Sequence, residues 1–385
     1  MLSLEFYNPT RIILGKGRIA ELDQHIGTDA RVLVLYGGGS VERNGTLDEV
    51  RKALGARHVQ YFSGIEPNPA YETLMQAVEL VRREQLDYLL AVGGGSVIDG
   101  TKFVAAAVSF TGDPWEILLN GGENVTAALP LASVLTLPAT GSEMNNGAVI
   151  TRLADKAKLP MHSDLVFPQF SVLDPTKTFS LPARQVGNGV VDSFVHVIEQ
   201  YLTVAGNNPV QDRFAEGLLQ TLVEIGEQAV QETENEEVRA NLMWVACLAL
   251  NGLIGAGVPQ DWSTHLLGHE LTALYGLDHA QTLAVILPAM LQVRREAKQA
   301  KLLQYAARVW QLESGTEEER INEAIERTRA FFEAVGVATR LSGYGLDAGC
   351  IEPVLQQMEA HGMTALGEHG DITLETCRKV LELAL

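Results

Sequence analysis

The chain has 385 residues, 46% of them apolar and 20% charged, with 36 glycines and 14 prolines spread along it and no low-complexity tract. That composition excludes wholesale disorder, and the length favours two domains over one small module. Its 29 basic and 48 acidic side chains leave a formal charge of −19, which excludes nonspecific nucleic-acid binding, because such binding relies on Lys and Arg to release counterions from phosphates.

The N-terminus carries Glu5, Pro9 and Arg11 where a secretory signal needs an unbroken apolar stretch, so a cytoplasmic location is expected. Strand signals follow in a regular rhythm. RVLVLY (31–36) reads as a buried strand running into GGGS (37–40), then TLDEVRKAL as helix, HVQYF (58–62) as strand, the turn EPNP, and a helix over 71–85. DYLLAV (87–92) is the next buried strand and is followed by a second GGGS (93–96) and a helix to about Ser109. A Gly- and Asn-rich loop near 111–124 precedes the strands LASVLTL (131–137) and FSVLD (170–174). Short apolar runs alternating with amphipathic helices predict an α/β dinucleotide-binding domain over 1–181.

From LPARQ (181–185) onward the strand signals stop. Apolar residues at helical spacing predict helices over roughly 184–203, 209–231, 236–255, 260–275, 279–297, 299–311 and 317–335, hence an all-helical domain over 182–385. Within it the uncharged run Ala240 to Gln260 is long enough to span a bilayer, but Asn251 and glycines 252, 255 and 257 divide it, so a buried helix is expected and no membrane partner. Cys247, Cys350 and Cys377 are odd in number and widely spaced, which encodes neither a disulfide framework nor a zinc knuckle. The charge is uneven: the first 181 residues hold 15 basic and 20 acidic side chains, the remainder 14 and 28.

A glycine run between a buried strand and a helix lets the backbone approach a pyrophosphate, and the helix N-terminus presents unpaired N–H groups to the anion. Neither GGGS has the G-x-G-x-x-G spacing, and each alone is an ordinary turn. Two of them after two strands of one α/β layer favour a dinucleotide, the first near its adenosine end and the second under its phosphates. The polar loop TLPATGSEMNNG (136–147) is a candidate pocket lining.

Four of nine histidines fall in two windows of the helical part. VVDSFVHVIE puts Asp192 and His196 four residues apart on one helix face, and WSTHLLGHELTALYGLDHAQT does the same for His265 and His269, with His279 beyond Gly276. Asp192 and His196 alone read more simply as an ordinary helical hydrogen-bonded or ionic pair, and core or capping histidines are the alternative for the second window. Together, one carboxylate and several imidazoles suit Fe²⁺ or Zn²⁺, and a metal beside a dinucleotide implies carbonyl chemistry.

These residues resemble the iron-containing, group III alcohol dehydrogenases, whose fold is shared with glycerol dehydrogenase and 3-dehydroquinate synthase. The resemblance spans the chain through GGGS-x-x-D-x-x-K at 93–102, LDP (173–175) through LP (181–182) to D-x-x-x-H-x-x-E (192–199), and the window 262–282. It implies an α/β N-terminal domain plus an all-helical C-terminal domain, with one divalent ion held in the cleft between them by Asp192, His196, His265 and His279. It leaves His269 uncoordinated near the nicotinamide as the candidate catalytic residue, for proton relay or substrate positioning.

For the cofactor the resemblance implies Gly94, Gly95, Ser96 and Asp99 from the second turn, Asn68 from EPNP, Thr136, Thr140 and Asn145 from the polar loop, and Lys158. NAD-preferring relatives carry an Asp in the first turn, where Gly39 stands here. Gly37, Gly38, Gly39 and Ser40 offer backbone N–H groups and a hydroxyl instead, with Lys158 as a nearby cation, so NADP(H) is expected. The whole most resembles the broad-range NADPH-dependent aldehyde reductases of the family, acting as a homodimer on a small aldehyde or alcohol. An NAD-dependent polyol dehydrogenase is the nearest rival. A dehydroquinate synthase-like lyase needs a basic cluster, whereas residues 184–290 contain only Arg184, Arg213 and Arg239.

Overall fold

The computed structural model of the protein describes every residue except 1, 2, 205 and 207. It divides into two compact units. One comprises Tyr7–Leu181 with Thr233–Cys247, and the other includes Pro182–Glu232 and Leu248–Leu385. Residues 233–247 thus depart from the expected 182–385 assignment, because Met243 and Cys247 bury themselves in the same apolar cluster as Val97, Phe103 and Leu118.

The first unit is built on a six-stranded sheet. Its strands are β1 (Arg11–Leu14), β2 (Arg31–Tyr36), β3 (His58–Phe62), β4 (Tyr88–Gly94), β5 (Leu131–Leu137) and β8 (Phe170–Leu173), in the order β1-β8-β5-β4-β2-β3, all parallel. Both faces of a parallel sheet are covered, which is why its strands read as unbroken apolar runs. The strand period of two sorts those runs onto two cores: Leu33, Leu35, Leu89 and Ala91 enter one cluster, Val32, Val34, Leu90 and Val92 the other. Each fully buried Val or Leu among them contributes about 1.5–3 kcal/mol.

The sequence-predicted strands over 31–36, 58–62, 87–92, 131–137 and 170–174 correspond to β2, β3, β4, β5 and β8. Strand β1 escaped prediction because it is only four residues long and lies at the sheet edge. The antiparallel pair β6 (Gly147–Arg152) and β7 (Ala157–His162) was likewise not foreseen. Lys158 and Pro160 break the apolar pattern of β7, which a two-stranded ribbon tolerates and a central strand would not.

Among the described residues the second unit is helical. Its helices include Ala183–Tyr201, Pro209–Gln231, Ser263–Tyr275, His279–Val293, Gln299–Arg308, Glu317–Ala334, Ile351–Ala360 and Leu374–Leu383. The helix predicted over 236–255 stops at Ala249, since the Asn251 Oδ1 accepts from the Leu253 N–H at 3.1 Å and so competes with helix continuation. The helix predicted from 260 starts at Ser263, because Trp262 holds a left-handed φ of 60°. No helix among the described residues is long and apolar enough to cross a membrane.

Candidate metal centre and dinucleotide turns

Helix Ala183–Tyr201 is buried along almost its whole length from Val186 onward. Asp192 and His196 share one of its faces, and Glu199 follows one turn later. His265 lies in the first turn of Ser263–Tyr275. His279 opens His279–Val293, whose start is set by a capping box in which the Asp278 N–H donates to Gln281 Oε1 at 2.9 Å. Asn188 Nδ2, on the first of these helices, donates to Asp278 Oδ2 at 2.8 Å and ties the two helix starts together.

The consequence is a convergence of donor atoms on one carboxylate oxygen. Asp192 Oδ1 lies 3.7 Å from His196 Nε2, 3.9 Å from His265 Nε2 and 3.5 Å from His279 Nε2. Asp192, His265 and His279 form the mutually closest trio, with candidate ligand atoms all within 4.8 Å of one another. A tetrahedral ion with bonds of about 2.0–2.2 Å needs its ligand atoms roughly 3.3–3.6 Å apart, so the Asp192 to histidine separations fit such an ion with small adjustments. The His196 and His265 rings stack with centroids 4.7 Å apart. Asp192, His196 and His265 are buried, while the His279 side chain stays 24% exposed and leaves the group approachable. His269 is buried beside them, its ring 5.2 Å from that of His279 and 6.4 Å from that of His265.

Charge balance makes the same point. Lys298 Nζ is held at 2.8 Å from Asp261 Oδ2 and 2.9 Å from Glu368 Oε1, and donates to the Leu202 carbonyl at 2.6 Å. Asp261 and Glu368 thus share one lysine, Asp192 is a further buried carboxylate, and ion burial is costly without compensation. A dication is what such a donor set accommodates.

Sequence reasoning assigned no role to Glu199. Its Oε1 accepts from the Thr264 N–H at 2.6 Å and its Oε2 makes a short hydrogen bond with His265 Nδ1. Burial and the neighbouring Asp261 push its carboxyl well above the usual range, against the pull of the Thr264 N–H and Lys298. The available signal was its spacing, three residues beyond His196 on the same helix.

In the α/β unit the strand order reverses between β2 and β4: the chain steps outward from β2 to β3, then returns to the other side of β2. Ligands of open α/β sheets bind beyond the carboxyl ends of the strands at such a switch point. Both glycine turns lie there, at one level, since Tyr36 pairs with Val92. Gly64 N–H donates to the Gly37 carbonyl at 3.2 Å and Ile65 N–H to that of Tyr36 at 3.3 Å, which brings the EPNP segment and Asn68 to the first turn. The polar loop is drawn to the second turn by Thr140, whose side chain fills the space that a Gly95 side chain would need. Helix Gly95–Ser109 starts there with no side-chain cap, so its first N–H groups remain for an anion.

Several candidates turn out to be spent within the protein. Asp99 Oδ1 accepts from Ser142 Oγ at 2.6 Å and Oδ2 from the Val149 N–H at 2.9 Å, so it braces the polar loop and β6. Asn145 Oδ1 accepts from Lys102 Nζ at 2.8 Å and from the Gly147 N–H at 3.0 Å. Lys102, on the helix face three residues beyond Asp99, closes the GGGS-x-x-D-x-x-K element, but the sequence alone assigns it no role. It is wholly buried, which lowers its amine to about 8 against the opposing pull of Asp99 and Glu143. Thr136 is buried at the end of β5.

The cation expected beside Gly39 also differs. Lys158 is buried on β7 and coupled electrostatically to Asp99. At Gly39, whose φ of 86° is left-handed, a side chain would begin 3.5 Å from a guanidinium nitrogen of Arg43 and 3.3 Å from Glu42 Oε2. Sequence reasoning passed over Arg43, whose signal was its position four residues after that glycine.

Comparison with known proteins agrees with this architecture. The family model of iron-containing alcohol dehydrogenases matches residues 9–175, and that of the C-terminal part of Fe-containing alcohol dehydrogenases matches 187–382. The chain is 58% identical over 386 residues to the NADPH-dependent aldehyde reductase YqhD of Escherichia coli (strain K12), covering 100% of both. It is 39% identical to NADP-dependent alcohol dehydrogenase 3 of Entamoeba histolytica, over 99% of this chain and 98% of that protein. The crystal structure of E. coli K-12 YqhD superposes with a TM-score of 0.99 over 100% of this chain and 99% of that one.

Proposed function

The chain belongs to the iron-containing alcohol dehydrogenase family, and from that premise we propose that it is an NADPH-dependent aldehyde reductase with one divalent ion, Fe²⁺ or Zn²⁺. Its substrates would be short and medium aldehydes and the corresponding primary alcohols. The proposal includes a homodimer working in the cytoplasm. One observation carries the reading: three imidazole Nε2 atoms within 3.9 Å of a single buried carboxylate oxygen.

Asp192, His196, His265 and His279 would hold the ion. The backbone N–H groups of Gly94, Gly95 and Ser96 would bind the cofactor pyrophosphate at the helix start. When bound, the ion supplies Lewis acidity toward a carbonyl oxygen and the nicotinamide supplies the hydride. His269, buried beside the donor set, is the group suited to deliver a proton to the product oxygen.

The test is NADPH oxidation against an aldehyde panel, with NADH in parallel, before and after chelation and readdition of Fe²⁺ or Zn²⁺. Turnover should favour NADPH, vanish on chelation and return with the ion. Turnover that survives chelation overturns the metal assignment. Preferential oxidation of glycerol with NAD⁺ supports a polyol dehydrogenase instead.

The preference for NADPH rests on the first glycine turn, where Gly39 itself carries no carboxylate and Arg43, next to Glu42, offers charge to a 2′-phosphate. Gly39→Asp should therefore raise KM for NADPH about tenfold or more while NADH is affected little. Like charges about 4 Å apart repel by about 4 kcal/mol at an effective dielectric constant near 20, ample for that factor. Equal effects on the two cofactors would show that this turn does not read the phosphate.

A further inference from the structure

We infer that Glu199 is a positioning residue of the metal centre: it sets which ring nitrogen of His265 carries the proton and so keeps the Nε2 lone pair directed toward Asp192. This rests on the reading of Asp192, His196, His265 and His279 as a metal site. A histidine can bind a cation through Nε2 only if that nitrogen keeps its lone pair, and the partner of the opposite nitrogen decides whether it does.

The geometry leaves Glu199 little choice. Its Oε1 is claimed by a donor that cannot reverse, the Thr264 backbone N–H at 2.6 Å. The remaining oxygen, Oε2, meets His265 Nδ1 in a short hydrogen bond. In the state able to bind a cation, a single proton lies between Oε2 and Nδ1, and Nε2, 3.9 Å from Asp192 Oδ1, carries none. Contacts of Asp261 anchor the main chain that carries the Glu199 side chain. The Asp261 N–H donates to the Glu199 carbonyl at 2.9 Å, and the Asp261 side chain is in turn locked by Lys298 at 2.8 Å and by the Ser263 N–H at 3.0 Å. Glu199 lies on the helix that carries Asp192 and His196, so one rigid element delivers two prospective ligands and the group that orients a third.

The chemistry separates this role from mere bracing. In Glu199→Gln the amide oxygen must stay on the Thr264 N–H, which turns the amide NH₂ toward His265 Nδ1. That nitrogen becomes an acceptor and the ring proton moves to Nε2, where it blocks the ion. In Glu199→Ala no group dictates the tautomer, and the ring can still bind. Positioning therefore predicts that the isosteric glutamine is the worse substitution, whereas a brace predicts that it is the milder one.

The experiment titrates Zn²⁺ alone, against a competing fluorescent chelator, into the metal-stripped full-length protein and its E199Q, E199A and H265A variants. Thermal unfolding of each metal-free form is measured alongside. Affinity should fall in the order wild type, E199A, E199Q, with E199Q weakened about 10–100-fold, the usual range for partners of metal-bound histidines. Nitrogen-15 shifts of His265 should report an Nδ1–H tautomer in the Zn²⁺-loaded wild type and Nε2–H in E199Q. The inference is overturned if E199Q binds Zn²⁺ as tightly as the wild type, or more tightly than E199A, while H265A loses it. If the wild type takes up no Zn²⁺, or H265A binds as well as it does, the metal reading itself fails and the inference with it.

Discussion

Replacing Asp192 with alanine should empty the metal centre and lower kcat/KM for aldehyde reduction by about a thousandfold or more. Asp192 is the single carboxylate on which three imidazole nitrogens converge at 3.5–3.9 Å, and it contributes the only negative charge among the four prospective ligands. Without it the neutral imidazoles of His196, His265 and His279 must hold a dication unaided. Lewis-acid stabilisation is worth several kcal/mol at the transition state, and about 1.36 kcal/mol corresponds to a factor of ten in rate. Removing a buried acid from a region that already holds Asp261 and Glu368 also relieves repulsion, so the variant should unfold at or above the temperature of the metal-free wild type. Metal analysis after dialysis, steady-state rates and thermal melts together check this. Stoichiometric metal with an undiminished rate in Asp192→Ala would remove that residue from the centre.

Gly95→Val should abolish measurable NADPH binding while leaving the metal centre loaded. A side chain at Gly95 would begin 2.5 Å from Thr140 Cγ2 and 2.9 Å from its Cβ, with Oγ1 nearer still, closer than real side-chain contacts allow. Either the polar loop moves away or the start of helix Gly95–Ser109 does, and the pyrophosphate loses its N–H groups in both cases. Displacing those hydrogen bonds by even an ångström costs about a hundredfold in a preorganised site. Pairing the substitution with Thr140→Gly should restore part of the affinity, because it removes the atoms in the way. Fluorescence titration with NADPH gives both constants. An unchanged Kd in Gly95→Val would mean that the cofactor does not use this turn.

Much of the fold was legible because it rests on local periodicity. Unbroken runs such as RVLVLY and YLLAV mark strands buried on both faces, and the glycine turns mark where they feed helices. The parts that escaped were those in which tertiary context outweighs local pattern. RIIL (11–14) is a strand only because β8 offers an edge to pair with, and β7 holds Lys158 and Pro160 because its single partner, β6, tolerates them. Residues 233–247 read as another helix of the second unit, yet Met243 and Cys247 find their apolar surroundings in the first.

The candidate site divides along the same line. Spacing alone placed Asp192 with His196 and His265 with His269 on helix faces, since four residues make about one turn whatever the surroundings. It could not decide which histidines face Asp192, because that depends on how separate helices pack. The packing brings His279, which opens a helix of its own and shares no helix face with His265, to 3.5 Å from Asp192.

Local sequence by itself determined the buried strands, the two glycine turns and the i, i+4 pairs, because each depends on a backbone period that neighbours do not alter. Only the tertiary structure decided that Nε2 atoms from three helices gather on Asp192, that Glu199 meets the ring of His265, and that Arg43 is the cation beside Gly39. The relations of Asp192 with His265 and His279, and of Glu199 with His265, join residues far apart along the chain, and the place of Arg43 depends on the left-handed turn before it. Their distances follow from packing and backbone geometry, which no local period encodes.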